Sequence, residues 1–415
     1  MSKEKLTKRI LIDGRFIGVG DSIARYTLEL LRGVLALDKE NEYTLLIRPI
    51  GIKSVSDFLE IEKSDIEKLI KNFKLPAPRN SKSEVGVIGK LRIRVLDIPH
   101  YSFAEQTSLL SYLNTEHFDL VHFTQFNHPI FYRGNYVVTI HDLILLKTAG
   151  NPLKKFFYNL VMGDAVKHSK KIISVSEMTK KDIVSTYGGD ADKIETIYHG
   201  IDQEKFGAEN RKQKTENSAK TLEKYGILGK YLLYVGAWKS HKNLRRLLEA
   251  SAKVRQSTDI QLVLVGKIDH DEPKLIEKIE SINNSALSSQ LSVPIVLTGA
   301  IDINSGELPA LYSGAAVYIM PSLLEGFGWP PLEAMACGTP VVASETSCIP
   351  EILGDAALYF DPLSVEDMAN KIEKVLADDD LRIKLIEKGL KQSARYTWSE
   401  TARKTYQIYQ DCLEA

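Results

Sequence analysis

Residues 316–344 read AVYIMPSLLEGFGWPPLEAMACGTPVVAS, and this stretch decides the fold class. An apolar run (316–322) precedes a glycine-containing turn, and two prolines then open a segment that is typical of a helix. A second apolar run, PVVAS (340–344), follows that segment directly. Strand, turn, helix and strand in this order predict a βαβ unit, whose two strands run in parallel.

Apolar, β-rich runs of the same kind recur along the chain, each followed by a stretch compatible with a helix. They are RILID (9–13), YTLLIR (43–48), LVHFT (120–124), YVVTIHD (136–142), KIISVS (171–176), YLLYVG (231–236), IQLVLVG (260–266) and PIVLTG (294–299), besides AVYIMPS and PVVAS. Because most of these runs are continuously apolar rather than alternating, they predict parallel strands buried on both faces. Alternation with helices predicts an α/β fold of two doubly wound, Rossmann-like domains.

Two polar stretches divide the chain. The stretch 203–226 is rich in Lys, Glu and Asn, and we interpret it as the interdomain linker with its flanks. The expected domains are an N-terminal one (1–205, with a surface insertion at about 50–90), a C-terminal one (206–395) and a closing helix (396–415) that packs back towards the first. Since α/β sheets bind ligands at the carboxyl ends of their strands, two such sheets facing each other predict a cleft.

The composition is that of a soluble globular protein. The chain has 415 residues, 44% apolar and 26% charged, and its formal net charge of +0 gives no indication of a nucleic-acid binder. Cys337, Cys348 and Cys412 are too few and too widely spaced for a disulfide framework or a zinc site, which favours a reducing cytoplasm. The N-terminal stretch lacks the apolar segment of a signal peptide, and no run approaches the roughly 20 apolar residues of a spanning helix.

Glu325 and Glu333 stand eight positions apart, one in the glycine turn and one on the helix that follows. Gly326 and Gly328 allow a ligand to approach the main chain. The helix that opens after Gly328 offers N–H groups and a positive dipole end to an anion such as a diphosphate. A lone glutamate is most simply interpreted as a surface residue, but the whole string favours two carboxylates that serve two parts of one ligand.

The stretch EGFGWPPLEAMACGTPVVAS (325–344) closely resembles the E-x7-E signature of retaining glycosyltransferases with the GT-B fold, in the large group called family four. YVGAWKSHKNLRRLLEA (234–250) resembles the family's segment that holds the donor diphosphate, and VVTIHDL (137–143) resembles its N-domain His-Asp turn. Further stretches resemble mannosyltransferase-like members: YSFAEQ (101–106), SVSEMTKKDI (174–183) and IYHGID (197–202).

The resemblance implies a role for each matching residue. The catalytic residues would be Glu325 beside the donor sugar, His141 at the transferred sugar from the opposite domain, and Lys242 on the diphosphate. Donor binding would fall to Gly326, Phe327, Gly328, Glu333 at the ribose, Gly236, His241, Thr298 and Gly299. The acceptor side would hold Gly18, Gly20, Arg25, Tyr26, Glu105 and Gln106.

The chain departs from the family pattern in three places. Many members carry an arginine near Lys242, either just after the glycine or next to the lysine, where this chain has Ala237 and His241 respectively. Either His241 or Lys239 takes the place of that arginine, or the diphosphate is held less strongly. Trp329 stands where a small aliphatic residue is usual, and GVGDSIARY (18–26) lacks the glycine before the arginine of the family's GIGRY-like turn.

The resemblance implies a retaining, metal-independent hexosyltransferase without a cofactor. Its donor would be a GDP- or UDP-hexose, with GDP-mannose favoured, and its acceptor a glycan or lipid-linked glycan. The pair of aspartates in DHD (269–271) is interpreted as solvated surface rather than as a metal site. The alternatives are a sugar-nucleotide epimerase, a glycogen-type phosphorylase, and a GT-B module that binds a sugar nucleotide or a partner without transfer.

The segment NPLKKFFYNLVMGDAVKHSKK (151–171) mixes aromatic, aliphatic and basic residues. Two interpretations stay open: it lies against a membrane that carries a lipid-linked acceptor, or it forms a buried amphipathic helix with a basic outer face. The expected location is the cytoplasm, with peripheral contact at the inner face of the membrane under the first interpretation.

Overall fold

The structure is a computed structural model that describes residues 6–19, 21–60, 84–88, 90–148, 150–207, 219–266, 273–288, 295–299, 301 and 306–414. The chain forms two compact units, Met1–Gly200 together with Trp398–Ala415, and Ile201–Thr397. It therefore enters the second unit after Gly200 and returns to the first for its last helix. These limits lie a few residues from those expected from the sequence.

The first unit contains an eight-stranded sheet. Its strands are β1 (Arg9–Asp13), β2 (Glu42–Ile47), β3 (Glu84–Ile88), β4 (Leu91–Val95), β5 (Leu120–Phe123), β6 (Tyr136–Ile140), β7 (Lys171–Ser174) and β8 (Ile194–Thr196). They lie in the order β3-β4-β2-β1-β5-β6-β7-β8, and every neighbouring pair is parallel except β3 with β4. The helices of this unit are α1 (Asp21–Leu37), α2 (Ile52–Leu59), α3 (Leu110–Glu116), α4 (Ile144–Thr148), α5 (Pro152–His168) and α6 (Glu177–Tyr187).

The second unit contains a six-stranded parallel sheet in the order β11-β10-β9-β12-β13-β14. Its strands are β9 (Tyr231–Val235), β10 (Gln261–Val265), β11 (Val296–Gly299), β12 (Val317–Met320), β13 (Val341–Ser344) and β14 (Ala357–Phe360). Its helices are α7 (Gln203–Phe206), α8 (Leu244–Ser257), α9 (Pro273–Ser288), α10 (Glu307–Gly314), α11 (Trp329–Ala336), α12 (Ile349–Leu353), α13 (Val365–Ala377) and α14 (Asp379–Ser393). The last helix of the chain, α15 (Trp398–Glu414), belongs to the first unit.

Every apolar run that was predicted to be a strand is a strand, and the α/β prediction is confirmed. The central strands β5, β6, β10, β12 and β13 are buried at each position, as expected for parallel strands covered on both faces. Each unit has its own apolar core on these strands. None of the helices in the described ranges has the length and apolar content needed to cross a membrane.

Strands that the apolar runs did not reveal are β3, β4, β8 and β14. In β4 the sequence LRIRV alternates, and its side chains alternate between buried and half-buried positions. The region interpreted as a surface insertion contributes α2, whose Ile52 and Val55 are buried, and leads into the strand pair β3–β4 at the edge of the sheet. The described parts of this region therefore include regular secondary structure, and α2 carries buried side chains.

The expected linker, 203–226, begins inside the second unit. Phe206, in α7, is fully buried, and its ring packs edge-on against Tyr312 at 6.0 Å between centroids. Gln203 donates from Nε2 to the Ser393 carbonyl at 2.9 Å. Residues 208–218 lie outside the described part of the chain. The polar composition of this stretch therefore did not indicate that Phe206, near its start, is a buried core residue.

The last helix packs closely on α1. A Cβ atom added to Gly33 would lie 2.3 Å from the Cβ of Ala402, so only glycine permits this distance between the two helices. Farther along, Tyr409 and His122 of β5 share a hydrogen bond of 2.6 Å between Oη and Nδ1. The closing helix is therefore fixed to the first unit by close packing on α1 and by a buried polar contact with the sheet.

Two helical glycines predict opposite responses to alanine. Gly33→Ala should destabilise the protein by about 1–3 kcal/mol, because its methyl group would overlap Ala402. Gly163→Ala in α5 should stabilise it by about 0.5–1 kcal/mol, because its methyl group would meet Tyr187 at an ordinary 3.5 Å and helix propensity would increase. Urea unfolding of both variants measures the signs, and equal destabilisation would contradict the close packing of α1 on α15.

Candidate functional site

The strand order of the second sheet reverses between β9 and β12. From β9 the chain proceeds outward to β10 and β11, and from β12 it proceeds the other way to β13 and β14. Ligands of open α/β sheets bind at the carboxyl ends of the strands at such a switch point. The segments that follow β9 and β12 meet there, since Leu323 N donates to the His241 carbonyl at 2.8 Å.

Lys242 and Glu325 form an ion pair at this switch point. Lys242 Nζ donates to both carboxylate oxygens of Glu325, at 2.7 and 2.8 Å, across 83 positions of sequence. The two side chains are 19% and 9% exposed, so the pair is largely withdrawn from water while one side stays accessible. The arrangement presents a cation and a carboxylate together to any ligand at the end of β9 and β12.

The loop that carries Glu325 is held from the segment after β13. Ser347 Oγ accepts from Glu325 N at 3.1 Å and donates to the Glu325 carbonyl at 2.8 Å. Cys348 Sγ donates to the same carbonyl at 3.3 Å and to that of Phe327 at 3.4 Å. The carboxylate of Glu325 therefore projects from a backbone that has little freedom to move.

Asn243 holds the segment that carries Lys242. It adopts a left-handed backbone conformation, with φ of 59°, and its side chain is buried. Its Nδ2 donates to the carbonyls of Pro321 at 3.0 Å and Pro362 at 2.8 Å, and its Oδ1 accepts from Arg246 at 3.0 Å. Because Pro321 follows β12 directly, these bonds fasten the Lys242 turn to the strand that leads to Glu325.

Glu333 lies on α11, one turn after the helix begins at Trp329. It is only 3% exposed, and the Tyr312 hydroxyl donates to its Oε2 at 2.9 Å. Burial and the neighbouring Glu333 raise the pKa of the Tyr312 phenol, so this hydroxyl remains a donor at neutral pH. The carboxylate is thus oriented by a fixed partner.

The start of α11 differs from a simple anion site. Gly328 is the N-cap in a left-handed conformation, with φ of 99°, and prolines occupy the first helical turn, as the sequence predicted. Pro330 and Pro331 have no N–H group, so among the residues from the N-cap to the third helical position only Gly328 and Trp329 carry one. Any anion at this end meets the positive end of the helix and two backbone donors rather than four.

Glycines end three neighbouring strands of the second sheet: Gly236 after β9, Gly266 after β10, and Gly299 in β11. Gly236 N donates to the Val265 carbonyl at 2.9 Å, and Gly266 N donates to the Gly299 carbonyl at 2.8 Å. A Cβ atom at Gly266 would lie 1.9 Å from the Gly236 carbonyl oxygen, which excludes every other residue. At these three positions the edge of the sheet therefore presents main chain without side chains. Thr298 belongs to β11, but its side chain lies outside the described part.

His241 is half-buried and neutral at physiological pH. Burial and the adjacent Lys242 lower its pKa to about 4. The alternative in which a protonated His241 replaces the family's arginine therefore finds no support, and Lys239 is exposed to solvent. The imidazole of His241 stands beside Lys242 as an uncharged group that donates or accepts hydrogen bonds.

His141 follows β6 of the first unit. Its Nε2 bonds the Thr124 carbonyl at 2.8 Å, and because a carbonyl only accepts, Nε2 carries the proton. Burial lowers the pKa of His141 to about 4, so the ring is neutral and its Nδ1 has the lone pair of an acceptor. The ring edge of Tyr26 contacts it at 5.0 Å between centroids, which fixes its plane.

Tyr26 belongs to a buried chain of hydrogen bonds rather than to the surface. It is 1% exposed, and its Oη lies 2.9 Å from Thr139 Oγ1, which lies 2.8 Å from His122 Nε2. Any contribution of Tyr26 to a ligand site is therefore exerted through its neighbours, His141 among them. The family resemblance had grouped it with residues that face an acceptor.

The other residues expected on the acceptor side lie in three segments. Gly18 is in the left-handed turn after β1, and Arg25 is half-buried on α1. Glu105 is 1% exposed beside Arg15, and Gln106 bridges the His128 carbonyl and Ile130 N. Gly20 lies outside the described residues.

Metal ligands are not grouped in the described part of the chain. Within it, no three or more His, Cys, Asp and Glu side chains stand close enough together to hold a metal ion. The segment 269–271, with the two aspartates of DHD, lies outside the described residues.

The sequence is similar to those of known glycosyltransferases. The family described as "Glycosyl transferases group 1" matches residues 216–392, and "Glycosyltransferase Family 4" matches residues 72–205. The chain is 28% identical over 278 residues to the Escherichia coli "O-antigen chain mannosyltransferase B", covering 66% of this chain and 69% of the relative. It is 28% identical over 249 residues to the "O-antigen chain mannosyltransferase RfbU" of Salmonella typhimurium, covering 60% and 63% respectively.

The fold has close relatives among solved structures. Anabaena HepE, solved in complex with UDP and glucose, superimposes with a TM-score of 0.69 at 15% identity, over 97% of this chain and all of that one. WaaG, a glycosyltransferase involved in lipopolysaccharide biosynthesis, superimposes with a TM-score of 0.67 at 15% identity, over 96% and 99%. Two glycosyltransferase family models together match most of this chain, and its fold is that of the GT-B glycosyltransferases. The resemblance to a GT-B, mannosyltransferase-like family that was stated from the sequence is thereby confirmed.

Several residues that organise this glycosyltransferase carried no signal of their own in the sequence. Asn243 sits in the family-like HKNL stretch, where an asparagine before a helix marks a cap but not a clamp between two strands. Ser347 and Tyr312 are common residue types in unremarkable positions. Arg15 had one indication in the sequence. It lies in DGR (13–15), where charged residues come at the end of a buried strand.

Two substitutions of Asn243 distinguish the effect of losing its side-chain hydrogen bonds from the effect of straining its backbone. Asn243→Gly keeps the left-handed φ without strain and removes the amide, whereas Asn243→Ala removes the amide and adds strain of about 1 kcal/mol. Both variants should lower kcat/KM on the order of tenfold to a hundredfold, because Lys242 would be misplaced. Steady-state kinetics and urea unfolding measure the two effects. A glycine variant with wild-type kinetics would show that the amide does not position Lys242.

The pH profile of kcat/KM tests the protonation state of His241. Because its pKa is lowered to about 4, the fraction of protonated His241 changes little above about pH 5.5. Wild type and His241→Gln should therefore give profiles of the same shape between about pH 5.5 and 8.5. If the wild type alone loses activity as pH rises through about 6.5, His241 acts as a cation after all.

Proposed function

We propose that this glycosyltransferase transfers a mannosyl group from GDP-mannose to a glycan or lipid-linked glycan, with retention of configuration at the anomeric carbon and without a metal ion. The observation that carries the proposal is the Lys242–Glu325 ion pair at the switch point of the second sheet. Mannose is supported by the two relatives named as mannosyltransferases. UDP-sugars are the competing donors, since HepE was solved with UDP.

Lys242 and Glu325 have complementary parts in this proposal. In this structure each neutralises the other at 2.7 Å. A diphosphate at the switch point competes with Glu325 for the Lys242 ammonium, and the released carboxylate accepts hydrogen bonds from the sugar hydroxyls. Gly328 and Trp329 supply N–H groups at the positive end of α11, which adds to the stabilisation of the leaving group.

The chemical step breaks the bond between the anomeric carbon and the β-phosphate oxygen. The electron pair of that bond goes to the phosphate, and the acceptor hydroxyl oxygen bonds to the anomeric carbon on the same face. The hydroxyl proton passes to an oxygen of the leaving phosphate. Negative charge grows on the diphosphate as the bond breaks, so the fixed charge of Lys242 stabilises the transition state more than the ground state.

The remaining donor residues are assigned by their chemistry. Glu333, oriented by Tyr312, would accept hydrogen bonds from the ribose hydroxyls. The bare main chain at Gly236, Gly266 and Gly299 would receive the base. His141, neutral with an acceptor Nδ1, would accept a hydrogen bond from a hydroxyl of the transferred sugar.

Helix α5 supports a lipid-linked acceptor at a membrane surface. Val161, Met162, Ala165 and Val166 are buried, so the second half of the helix is part of the core. The first half exposes Leu153, Phe156 and Leu160, which recur at helical spacing on the opposite face, next to the exposed Lys154 and Lys155. The proposal is that this half contacts an anionic bilayer peripherally, at the inner face of the membrane.

A donor panel tests the proposed function. Thermal unfolding with GDP-mannose, GDP, UDP-glucose and UDP should show the largest stabilisation with the guanine nucleotides, about 2.7 kcal/mol at a hundredfold excess over Kd. Slow release of mannose from GDP-mannose, unaffected by EDTA, should accompany it. A binding module would be stabilised without release, and an epimerase would convert the donor without release. Loss of activity in EDTA, restored by Mg²⁺ or Mn²⁺, would refute the metal-independent mechanism.

Replacement of the two glutamates by glutamine separates their roles. Glu325→Gln should mainly lower kcat, because the carboxylate lies beside the reacting sugar, while GDP binding tightens as Lys242 is no longer neutralised. Glu333→Gln should mainly raise the KM for the donor, since ribose contacts are alike in ground and transition states. Kinetics with GDP inhibition constants measure both variants, and the reverse pattern would exchange the two assignments.

A further inference from the structure

Polar side chains form a continuous hydrogen-bonded chain through the apolar interior of the first unit. Tyr409 Oη and His122 Nδ1 are 2.6 Å apart, and His122 Nε2 lies 2.8 Å from Thr139 Oγ1. Thr139 Oγ1 in turn lies 2.9 Å from the hydroxyl of Tyr26, whose ring contacts the imidazole of His141. The chain therefore joins the last helix, α15, to the histidine that the proposed function places at the transferred sugar.

This chain lies in a part of the sheet where the neighbouring residues are apolar. His122 in β5 and Thr139 in β6 are fully buried among leucine, valine, phenylalanine and isoleucine side chains of the same strands. Tyr26 and Tyr409 are buried as well. Burial of a polar group costs free energy unless the group is hydrogen-bonded, and in a bonded chain each member restricts the orientation of the next. The four side chains therefore hold one another in defined orientations.

The direction of the hydrogen bonds follows from the chemistry of the groups. Burial raises the pKa of the Tyr409 phenol well above its ordinary value and lowers the pKa of His122 to about 3, so both groups are uncharged at neutral pH. A phenol is more acidic than a neutral imidazole, so the Tyr409 hydroxyl donates to Nδ1 of His122. Nε2 then carries the ring proton and donates to Thr139 Oγ1. The Tyr409 hydroxyl thus selects the tautomer of His122.

The close packing of α15 on α1 places the Tyr409 side chain. Gly33 of α1 meets Ala402 of α15 at a distance that leaves no room for a methyl group on the glycine. Tyr409 follows Ala402 by about two helical turns, so the two residues lie on the same face of α15. That face therefore carries the phenol to the buried imidazole of β5.

At the other end of the chain, Tyr26 contacts both Thr139 and His141. Its hydroxyl bonds Thr139, and its ring stands at 86° to the ring of His141, with 5.0 Å between centroids. The Thr124 carbonyl holds Nε2 of His141 at 2.8 Å, but a single hydrogen bond to one ring atom does not fix the plane of the ring. The perpendicular contact with Tyr26 supplies that constraint.

Helix α15 reaches the same histidine by a second route. Trp398 is its first residue, and the Trp398 ring lies 6.1 Å from the ring of His199 between centroids. The ring of His199 lies 5.3 Å from that of His141 and 4.8 Å from that of Tyr26. Burial lowers the pKa of His199 well below its ordinary value, so this ring is also neutral. The surroundings of His141 therefore depend on α15 at its start and farther along its length.

We propose that the C-terminal helix α15 positions His141 for the reaction, and that Tyr409 is a positioning residue that acts through the buried hydrogen-bonded chain. The proposal rests on the glycosyltransferase function proposed above, in which neutral His141 accepts a hydrogen bond from a hydroxyl of the transferred sugar. A rotated ring would direct its Nδ1 lone pair away from that hydroxyl and weaken the bond. The competing explanation is that the chain stabilises the fold and has no effect on the reaction.

Two isosteric variants and one matched control test the proposal in the full chain. Tyr409→Phe and Tyr26→Phe each remove one hydroxyl from an end of the hydrogen-bonded chain, and phenylalanine at position 26 keeps a ring against His141. Tyr43→Phe is the control, because the Tyr43 hydroxyl is also buried and donates to Asp38 Oδ2 at 2.8 Å, outside the chain.

Three measurements are made on each variant and on the double variant Tyr26→Phe/Tyr409→Phe. The first is kcat and KM for release of mannose from GDP-mannose. The second is the free energy of unfolding in urea. The third is the position of the His141 ring signals in NMR spectra of protein labelled with ¹⁵N-histidine, assigned by comparison with His141→Gln.

Tyr409→Phe and Tyr26→Phe should each lower kcat about threefold to tenfold through a misplaced His141. KM for the donor should stay at its wild-type value, because the proposed diphosphate and ribose contacts, Lys242 and Glu333, are untouched. Both variants should shift the His141 ring signals. The double variant should lose no more activity than the more impaired single variant, since both substitutions break one chain. Tyr43→Phe should lose similar stability but keep the wild-type kcat and His141 signals.

Four results would overturn the proposal. They are unchanged His141 signals in both test variants, a wild-type kcat in variants that have lost stability, an equal loss of kcat in Tyr43→Phe, and a double variant whose loss is the product of the two single losses. A wild type that releases no mannose, with the His141 signals shifting in the test variants as expected, would instead refute the proposed donor. The same kinetics would then be measured with UDP-glucose.

Discussion

Parallel pairing of buried strands is the constraint on which both units depend. Strands such as β5 and β10 are buried at every position, so each sheet needs helices on both of its faces. The crossovers that supply those helices make all parallel strands of a sheet end at one edge. Lys242 and Glu325 meet across 83 positions because each follows one of two adjacent strands, β9 and β12.

Buried charge has a different use in each unit. Arg15 is fully buried between Asp13 and Glu105, and loss of Arg15 would leave two carboxylates away from water without their cation. Burial raises the pKa of Glu105 in spite of Arg15, which shows how strongly this group is desolvated. Lys242 and Glu325 keep 19% and 9% of their side chains exposed, so under the proposed function a diphosphate would reach Lys242 and take the place of Glu325. The first cluster is closed to water, whereas the second stays accessible to it.

Three histidines, His122, His141 and His241, are neutral near pH 7. Burial lowers the pKa of His141 and His241 to about 4 and that of His122 to about 3. Near neutral pH these imidazoles therefore take part in hydrogen bonds rather than in ion pairs. In His141 the direction is set by the Thr124 carbonyl and by the ring of Tyr26, which is itself fixed through Thr139.

The sequence by itself determined the elements and the family. Continuous apolar runs predicted the main strands, and the double proline after Gly328 predicted where α11 begins, because burial on both faces and helix initiation leave local patterns. Only the tertiary structure decided that Glu325 pairs with Lys242, that Asn243 joins two strands, and that Tyr26 is buried. It also decided that His241 is uncharged. These properties depend on which strands are neighbours and on how much water remains at a side chain, and both are set by contacts between residues far apart in the chain.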